Sequence, residues 1–146
     1  MKNAIHLIGD FRREEAIASG TVKPGMWLDT TNQDKVRAHS TPGGYAERAI
    51  AVEDALQGKS INDNYADGAL VEFNIVAPGC EVQSILKAGE NVTIGTKLVS
   101  DGAGRLIAED SVGSGVVVKQ ILAIAREAKN LSASGAVDAL IAVRVL

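Results

Sequence analysis

The side chains that could do chemistry in this chain are few and lie far apart. The sequence has two histidines, His6 and His39, and one cysteine, Cys80. Zinc sites need three or four close ligands, and neither histidine has a second ligand at metal-binding spacing. Cys80 follows a predicted turn at Pro78-Gly79, where a single cysteine is usually a small apolar residue. The sequence therefore predicts no metal site, no cofactor and no catalytic residue, although a Ser-His-Asp triad assembles in space and has no fixed spacing.

Short glycine and aspartate motifs also fail the tests for binding loops. DNYADG, at residues 63–68, would need a ligand at its third position and a glutamate at its twelfth to match an EF-hand, and Tyr65 and Asn74 stand there. An Asn/Asp loop ending at Gly68 is the alternative that we favour over a cation site. GAGRLI and GSGVVV lack the third glycine of a dinucleotide fingerprint, and no phosphate-binding GxxxxGK[ST] occurs. We therefore expect that the chain is not an enzyme.

Composition narrows the classes of partner. The net charge of −3 over 146 residues is mild, the basic residues are scattered, and aromatics are rare, so we expect no nucleic acid partner. The N-terminal apolar run covers only about five residues, whereas a signal peptide needs roughly 7–15. No stretch approaches the roughly 20 apolar residues of a membrane helix. We expect a soluble chain with no membrane partner that is not secreted.

Two glycine-punctuated segments follow a similar pattern. The first is IASGTVKPGMWLDTTNQDKVRAH and the second is LKAGENVTIGTKLVSDGAGRLIAE. The matching positions are Gly20 and Gly89, Val22 and Val92, Gly25 and Gly95, Leu28 and Leu98, and Val36 and Leu106. Each glycine predicts a turn, and each Leu predicts the start of a strand that returns through a hairpin at NQDK or DGAG. The repeat predicts a compact hairpin unit that the fold uses twice.

Other short strands are predicted on both sides of the second copy. Residues 69–76 alternate, with Val71, Phe73 and Ile75 on one face and Glu72 and Asn74 on the other. Further strands are predicted over residues 47–53 (with a helix as the alternative), 81–86, 116–125 and 137–145, with a loop over 130–136. Many short strands at this spacing indicate an all-β fold with little helix: a small β-barrel or sandwich of the β-tulip kind.

The N-terminal residues predict a separate element. An apolar patch at Ile5, Leu7 and Ile8 runs into Phe11 and a charged stretch. We interpret residues 1–15 as an extended N-terminal arm and residues 16–146 as a single β-rich domain. A frayed terminus or a first edge strand is the alternative.

Two families share parts of these patterns. GENVTIGTKL resembles the turn of biotinyl and lipoyl carrier domains, and Asp34-Lys35 lies in a hairpin like the one that presents their modified lysine. Those domains are about half this length. A longer pattern, A-x-E-x-x-x-x-G-K-x-I-x-x-x-Y-x-x-G-x-x-V, resembles the head-decoration (capsid cement) proteins of tailed bacteriophages. Its positions here are Ala51, Glu53, Gly58, Lys59, Ile61, Tyr65, Gly68 and Val71.

The second resemblance implies a non-enzymatic virion protein. Proteins of that family bind the outer capsid surface after synthesis in the host cytoplasm, often as homotrimers at three-fold positions, and stabilise the shell against internal DNA pressure. The major capsid protein would be the partner, with Ile5, Leu7, Ile8 and Phe11 as contact residues that add a strand to its sheet. Another phage structural β domain, such as a fibre base or a tail-associated domain, is the first alternative, and a carrier domain is the second.

Overall fold

The computed structural model describes residues 2–32, 34–115 and 119–146, and its regular structure is almost entirely β-strand. In chain order the strands are β1 (His6–Ile8), β2 (Phe11–Ala18), β3 (Leu28–Asn32), β4 (Lys35–Ala38), β5 (Ala49–Ala51), β6 (Leu70–Val76), β7 (Glu81–Leu86), β8 (Asn91–Val92), β9 (Lys97–Ser100), β10 (Leu106–Ala108), β11 (Ala123–Ala125), β12 (Lys129–Asn130) and β13 (Ala139–Val145). Two 3₁₀ turns, Ala55–Gln57 and Glu109–Ser111, are the helical elements of the described chain. None of the described helical elements is long and apolar enough to cross a membrane. The predicted all-β fold class is confirmed.

Strands β7, β9, β10, β11 and β13 form a small closed barrel, which we call the C-terminal unit. Neighbours follow the order β7-β10-β9-β11-β13, and β13 also pairs with β7, which closes the ring. The longest pairing is antiparallel, from Ala139 opposite Leu86 to Arg144 opposite Glu81. Where β7 does not pair with β10, its amides donate to residues outside the ring, from Gln83 to the Ile5 carbonyl and from Ile85 to the Gly25 carbonyl.

Strands β2 to β6 form a second sheet on the same plan, which we call the N-terminal unit. Its strand order is β3-β4-β2-β6-β5. The equivalent strands of the C-terminal unit follow the same order, β9-β10-β7-β13-β11. A β-bridge joins Trp27 to Ile50 in the N-terminal unit. The equivalent residues of the C-terminal unit, Lys97 and Ile124, pair with each other in the same way. The chain therefore contains an internal repeat, with two units of the same strand order.

The registers of the two units agree as well. Leu28 lies opposite Ala38 in the N-terminal unit, and Leu98 lies opposite Ala108 in the C-terminal unit. The parallel pairings correspond in the same way, with β2 beside β4 and β7 beside β10. Since a shift of one residue would turn every side chain to the opposite face, a shared register also means a shared pattern of inward-facing positions.

The structure confirms the predicted hairpins, and each unit contains one copy of the glycine repeat. Gly25 and Gly95 have φ angles of +91° and +92°, a region that residues with a Cβ rarely enter. Their amides donate to Ala51 and Ala125 respectively, at 2.9 Å in both cases. The leucine that follows each glycine, Leu28 or Leu98, is fully buried. The repeated pattern therefore shapes the turn that leads into the inner hairpin of each unit.

Trp27 holds the two units together. Its ring is almost completely buried, and its indole Nε1 donates to Ser84 Oγ at 3.1 Å. Its backbone amide donates to the carbonyl of Gly104 in the C-terminal unit. Trp27 and Ile50 point out of the N-terminal unit into a core that they share with residues of the C-terminal unit such as Leu98. The units therefore share buried apolar surface.

The N-terminal residues differ from the expected arm. We expected an arm over residues 1–15, but the described part of this segment, residues 2–15, does not lie outside the core: Ile5 is fully buried, β1 pairs with β7, and β2 pairs with β6 along most of its length. The charged stretch can enter a sheet because Arg13 forms an ion pair with buried Glu72 at 3.0 Å. That ion pair also explains why the polar face of β6 is buried rather than solvated.

The predicted strand over 116–125 is shorter in the structure. Residues 116–118 lie outside the described residues, and the strand covers Ala123–Ala125. The amide of Gln120 donates to the carbonyl of Gly43 in a loop instead of a sheet. The strands predicted over 69–76, 81–86 and 137–145 are confirmed, with β6, β7 and β13 inside these ranges.

Candidate attachment surface

Strand β1 presents an apolar sheet edge. It pairs antiparallel with β7, with His6 opposite Val82 and Ile8 opposite Glu81, and it stands at the end of the strand order of that sheet. Among the described residues, no strand pairs with its outer side. An exposed edge offers backbone N–H and C=O groups to a strand from another chain. We call β1 together with Phe11 the N-terminal edge.

The four expected contact residues are not equally available. Ile8 is 62% exposed and Phe11 is 46% exposed, while Leu7 is half-buried. Ile5 is fully buried, and its amide donates to Glu53 Oε2 at 3.0 Å. The structure therefore brings Leu7, Ile8 and Phe11 to the N-terminal edge and assigns Ile5 to the core.

The turn between β1 and β2 is held tightly. A Cβ on Gly9 would lie 2.5 Å from Cys80 Sγ, which leaves room for glycine alone. The Cys80 thiol contacts the Asp10 carbonyl at 3.1 Å, and the His6 ring packs on Phe11 with centroids 4.3 Å apart. Cys80 is buried and serves as a packing residue here. These contacts fix the direction in which the N-terminal edge faces.

An ion-pair cluster supports the strand behind the N-terminal edge. Glu81 Oε1, opposite Ile8, accepts hydrogen bonds from Arg144 at 2.9 Å and from Arg126 at 3.0 Å. The hydrogen bond from Arg144, reinforced by the one from Arg126, holds the pKa of Glu81 below its usual value. The carboxylate stays charged at neutral pH and ties β7, β11 and β13 together.

Among the described residues, His39 and Ser100 form a serine–histidine pair, and this pair is buried inside the protein. His39 Nδ1 lies 2.6 Å from Ser100 Oγ, and Asp29 Oδ1 lies 3.8 Å from His39 Nε2. His39 and Ser100 are both almost fully buried, so no substrate can reach the hydroxyl. Nε2 also lies 2.8 Å from the Tyr45 carbonyl, a geometry in which it donates the proton. Because His39 and Ser100 belong to different units, the pair acts as a polar clamp between them.

The Asn/Asp loop is held by its own hydrogen bonds. Asp63 accepts from the backbone amide and the hydroxyl of Ser60, which lowers the pKa of Asp63. Asp67 Oδ1 accepts from the Gly20 amide at 2.8 Å. Across the described ranges, no three His, Cys, Asp or Glu side chains come together in a way that could hold a metal ion. Both carboxylates therefore cap turns.

A groove of about 640 Å³ lies where the two units meet. Its apolar floor includes Met26, Ile61, Ile85 and Leu140, and its rim carries lysines, side-chain amides and the carboxylates of Glu127 and Asp138. None of the described residues that line it is a histidine, cysteine or serine. The groove can offer apolar contact and hydrogen bonds, but none of these three common catalytic side chains.

Comparisons with known proteins give a structural likeness. No family model and no curated protein matches the sequence. The crystal structure of the head fibre gp8.5 N base of bacteriophage phi29 is similar, with a TM-score of 0.58 over 94% of this chain and 95% of that chain. The two chains share a fold. Their sequence identity is 13%, so the likeness concerns the fold alone.

The positions that resemble the decoration family serve the fold. Tyr65 and Val71 are buried, and the Tyr65 hydroxyl donates to the Val52 carbonyl at 2.7 Å. Gly58 and Gly68 have positive φ and form turns. These residues carry the β architecture rather than a binding surface. An apolar patch in the sequence was enough to find the exposed residues of the N-terminal edge. The repeat of whole units could not be found in this way, because strands of three residues are too short to give a recognisable sequence pattern.

Proposed function

We propose that this chain is a non-enzymatic structural protein of a tailed-phage head, of the fibre-base type. The observation that carries the proposal is the fold shared with the phi29 head fibre base across almost the whole of both chains. The fold consists of a closed barrel packed against a second unit with the same strand order, which suits a rigid mount more than a site for chemistry. The chain would be made in the host cytoplasm and end in the virion.

In this proposal the chain attaches to the outer surface of the head through the N-terminal edge. Leu7, Ile8 and Phe11 would face the major capsid protein, and the free side of β1 would accept a strand from it. A short three-residue edge binds weakly on its own. A homotrimer presents three such edges at once, and the effective concentration of the second and third raises the overall affinity by orders of magnitude. Neither nucleic acid nor membrane takes part.

Co-sedimentation with heads that lack the protein tests this proposal. We expect binding that saturates at a fixed copy number, in multiples of three. Ile8→Asp should weaken binding by about tenfold or more, because it places a charge in an apolar contact. Leu56→Asp is the matched control, since Leu56 is also highly exposed but lies in a 3₁₀ turn and not in the N-terminal edge. Absence of binding by the folded wild-type protein would contradict the proposal.

Stabilisation of the shell is a more specific function, and the same heads can be used to test it. A decoration protein would raise the temperature at which heads release their DNA, whereas a fibre base would bind without that change. The residue pattern that resembles decoration proteins is the observation in favour of stabilisation. The residues of that pattern lie in the core and in turns, so they do not themselves form a binding surface. An intact-mass measurement tests the carrier-domain alternative, since Lys35 is exposed at the start of β4 and a carrier would show added mass there.

A further inference from the structure

The repeat lets each surface of one unit be compared with the same surface of the other. In the N-terminal unit, the turn at Pro24-Gly25 is buried against the C-terminal unit. The carbonyl of Gly25 accepts from the Ile85 amide at 3.1 Å, and a Cβ on Gly25 would lie 2.6 Å from Leu140 Cδ2. One unit therefore inserts its turn into the outer face of β7 and β13 of the other.

Both halves of that contact recur elsewhere on the molecule without a partner. The matching turn of the C-terminal unit is Ile94-Gly95, where Ile94 is 67% exposed. No described atom comes within 4 Å of where a Cβ of Gly95 would be. The face that matches Ile85 and Leu140 is formed by Ile17 and Leu70, and Leu70 is 51% exposed. The turn that could insert is therefore exposed, and Leu70 leaves part of the matching face exposed, while Ile17 is half-buried.

We propose that a second copy of this chain uses these two surfaces. The Ile94 turn of one copy docks on the Ile17–Leu70 face of the next and repeats, between molecules, the contact that joins the units within one molecule. Such a contact is heterologous, because different surfaces meet. If its rotation closes after three copies, the trimer of the proposed function becomes a ring of alternating N-terminal and C-terminal units.

Charge supports this pairing. Exposed Lys97 follows the Ile94 turn, and Lys129 pairs with Val92 just before it. The receiving face carries Glu15, on the same side of β2 as Ile17, and Asp67, which precedes Leu70. The receiving face is mixed rather than purely acidic, because exposed Lys35 pairs with Ile17 beside these carboxylates. The charges of the turn and the face are therefore partly complementary, and we expect association to weaken slightly as salt is added.

The intermolecular contact should be weaker than the internal one. The Ile17 amide already donates to the Asp34 carbonyl at 2.7 Å, so it cannot repeat the hydrogen bond that Ile85 gives to Gly25. Lys97 also stands where the N-terminal unit has Trp27, so the large apolar anchor is missing. We therefore expect reversible association that depends on concentration, and the attachment to the head is not needed for it.

Sedimentation velocity from micromolar to near-millimolar concentration tests the proposal. The wild-type chain should associate, and Ile94→Asp and Leu70→Asp should each weaken association by about tenfold or more. Val137→Asp is the control, because Val137 is more exposed than either of these residues and lies outside both surfaces. Circular dichroism and the melting temperature check that each variant is folded.

Mixing the two weakened variants is the decisive measurement. Ile94→Asp keeps an intact receiving face and Leu70→Asp keeps an intact turn, so an equimolar mixture should form a heterodimer and nothing larger. A wild-type chain that stays monomeric throughout would overturn the proposal. So would oligomers that persist in both variants, or a mixture that remains monomeric while wild type associates. Failure of head binding, by contrast, would leave these results unchanged and count against the proposed function alone.

Discussion

The most direct test of the packing between the units compares two substitutions at equivalent glycines, Gly25→Ala and Gly95→Ala. Both residues have φ near +90°, so each substitution forces an alanine into a left-handed conformation at a cost of roughly 1–2 kcal/mol. Each also removes the same freedom from the unfolded chain. These two effects cancel when the variants are compared, which leaves the surroundings of the new methyl group as the difference.

Those surroundings differ sharply. At Gly25 the methyl would lie 2.6 Å from Leu140 Cδ2, 3.3 Å from Ile85 Cγ1 and 3.4 Å from the Gln83 carbonyl, whereas at Gly95 it meets no described atom within 4 Å. Overpacking costs about 1–3 kcal/mol, and we expect the lower part of this range because the Leu140 methyl is the free end of a half-buried side chain. Gly25→Ala should therefore be about 1–2 kcal/mol less stable than Gly95→Ala.

Urea denaturation followed by tryptophan fluorescence measures this difference. Trp27 is the single tryptophan and is buried between the units, so its emission reports the loss of their contact. The protein should be dilute enough to be monomeric, since Gly95 belongs to the proposed contact between copies. Equal stabilities for the two variants would refute the account of Gly25 as a site of close approach.

Two further predictions concern buried polar groups. Ser84→Ala should lower the free energy of unfolding by about 1–3 kcal/mol, because the Trp27 indole N–H would lose its acceptor in a dry interior. Urea denaturation checks this, and Ser134→Ala, at an exposed serine, should change the free energy of unfolding little. Burial raises the pKa of Tyr65 to about 12. Since an unfolded tyrosine ionises near pH 10, the stability from neutral Tyr65 should be complete below about pH 10 and lost by about pH 12. Absorbance titration of a Tyr45→Phe variant isolates this phenol, and a midpoint near 10 in the folded protein would contradict the predicted burial.

Local turn chemistry made the hairpins predictable. A glycine followed three residues later by leucine specifies a reversal and the start of a strand, and both requirements are satisfied within a few residues of chain. The alternation of apolar and polar residues in β6 could be recognised for the same reason. In contrast, β5 and β11 have the identical sequence Ala-Ile-Ala and occupy equivalent places, but three residues are too few to stand out in the sequence.

The residues at the N-terminal edge show the limit of such patterns. A strand alternates its side chains, but the sequence does not say which of Ile5 and Ile8 a neighbouring element will cover. Here β7 and the carboxylate of Glu53 come from distant parts of the chain and bury Ile5, while Ile8 stays outside. The expectation of an arm was wrong for a similar reason. The sequence does not show that Arg13, in the charged stretch of β2, forms an ion pair with Glu72 on the neighbouring strand.

The sequence by itself determined the β class, the two hairpins and the scarcity of reactive side chains, because turns and strand periodicity depend on near neighbours. Tertiary structure alone decided that whole units repeat, that one of them closes into a barrel, and that one glycine turn is buried while its counterpart is exposed. These properties depend on pairings between residues far apart in the chain. Such pairings are selected by the total surface that the folded chain can bury, and no local pattern encodes that sum.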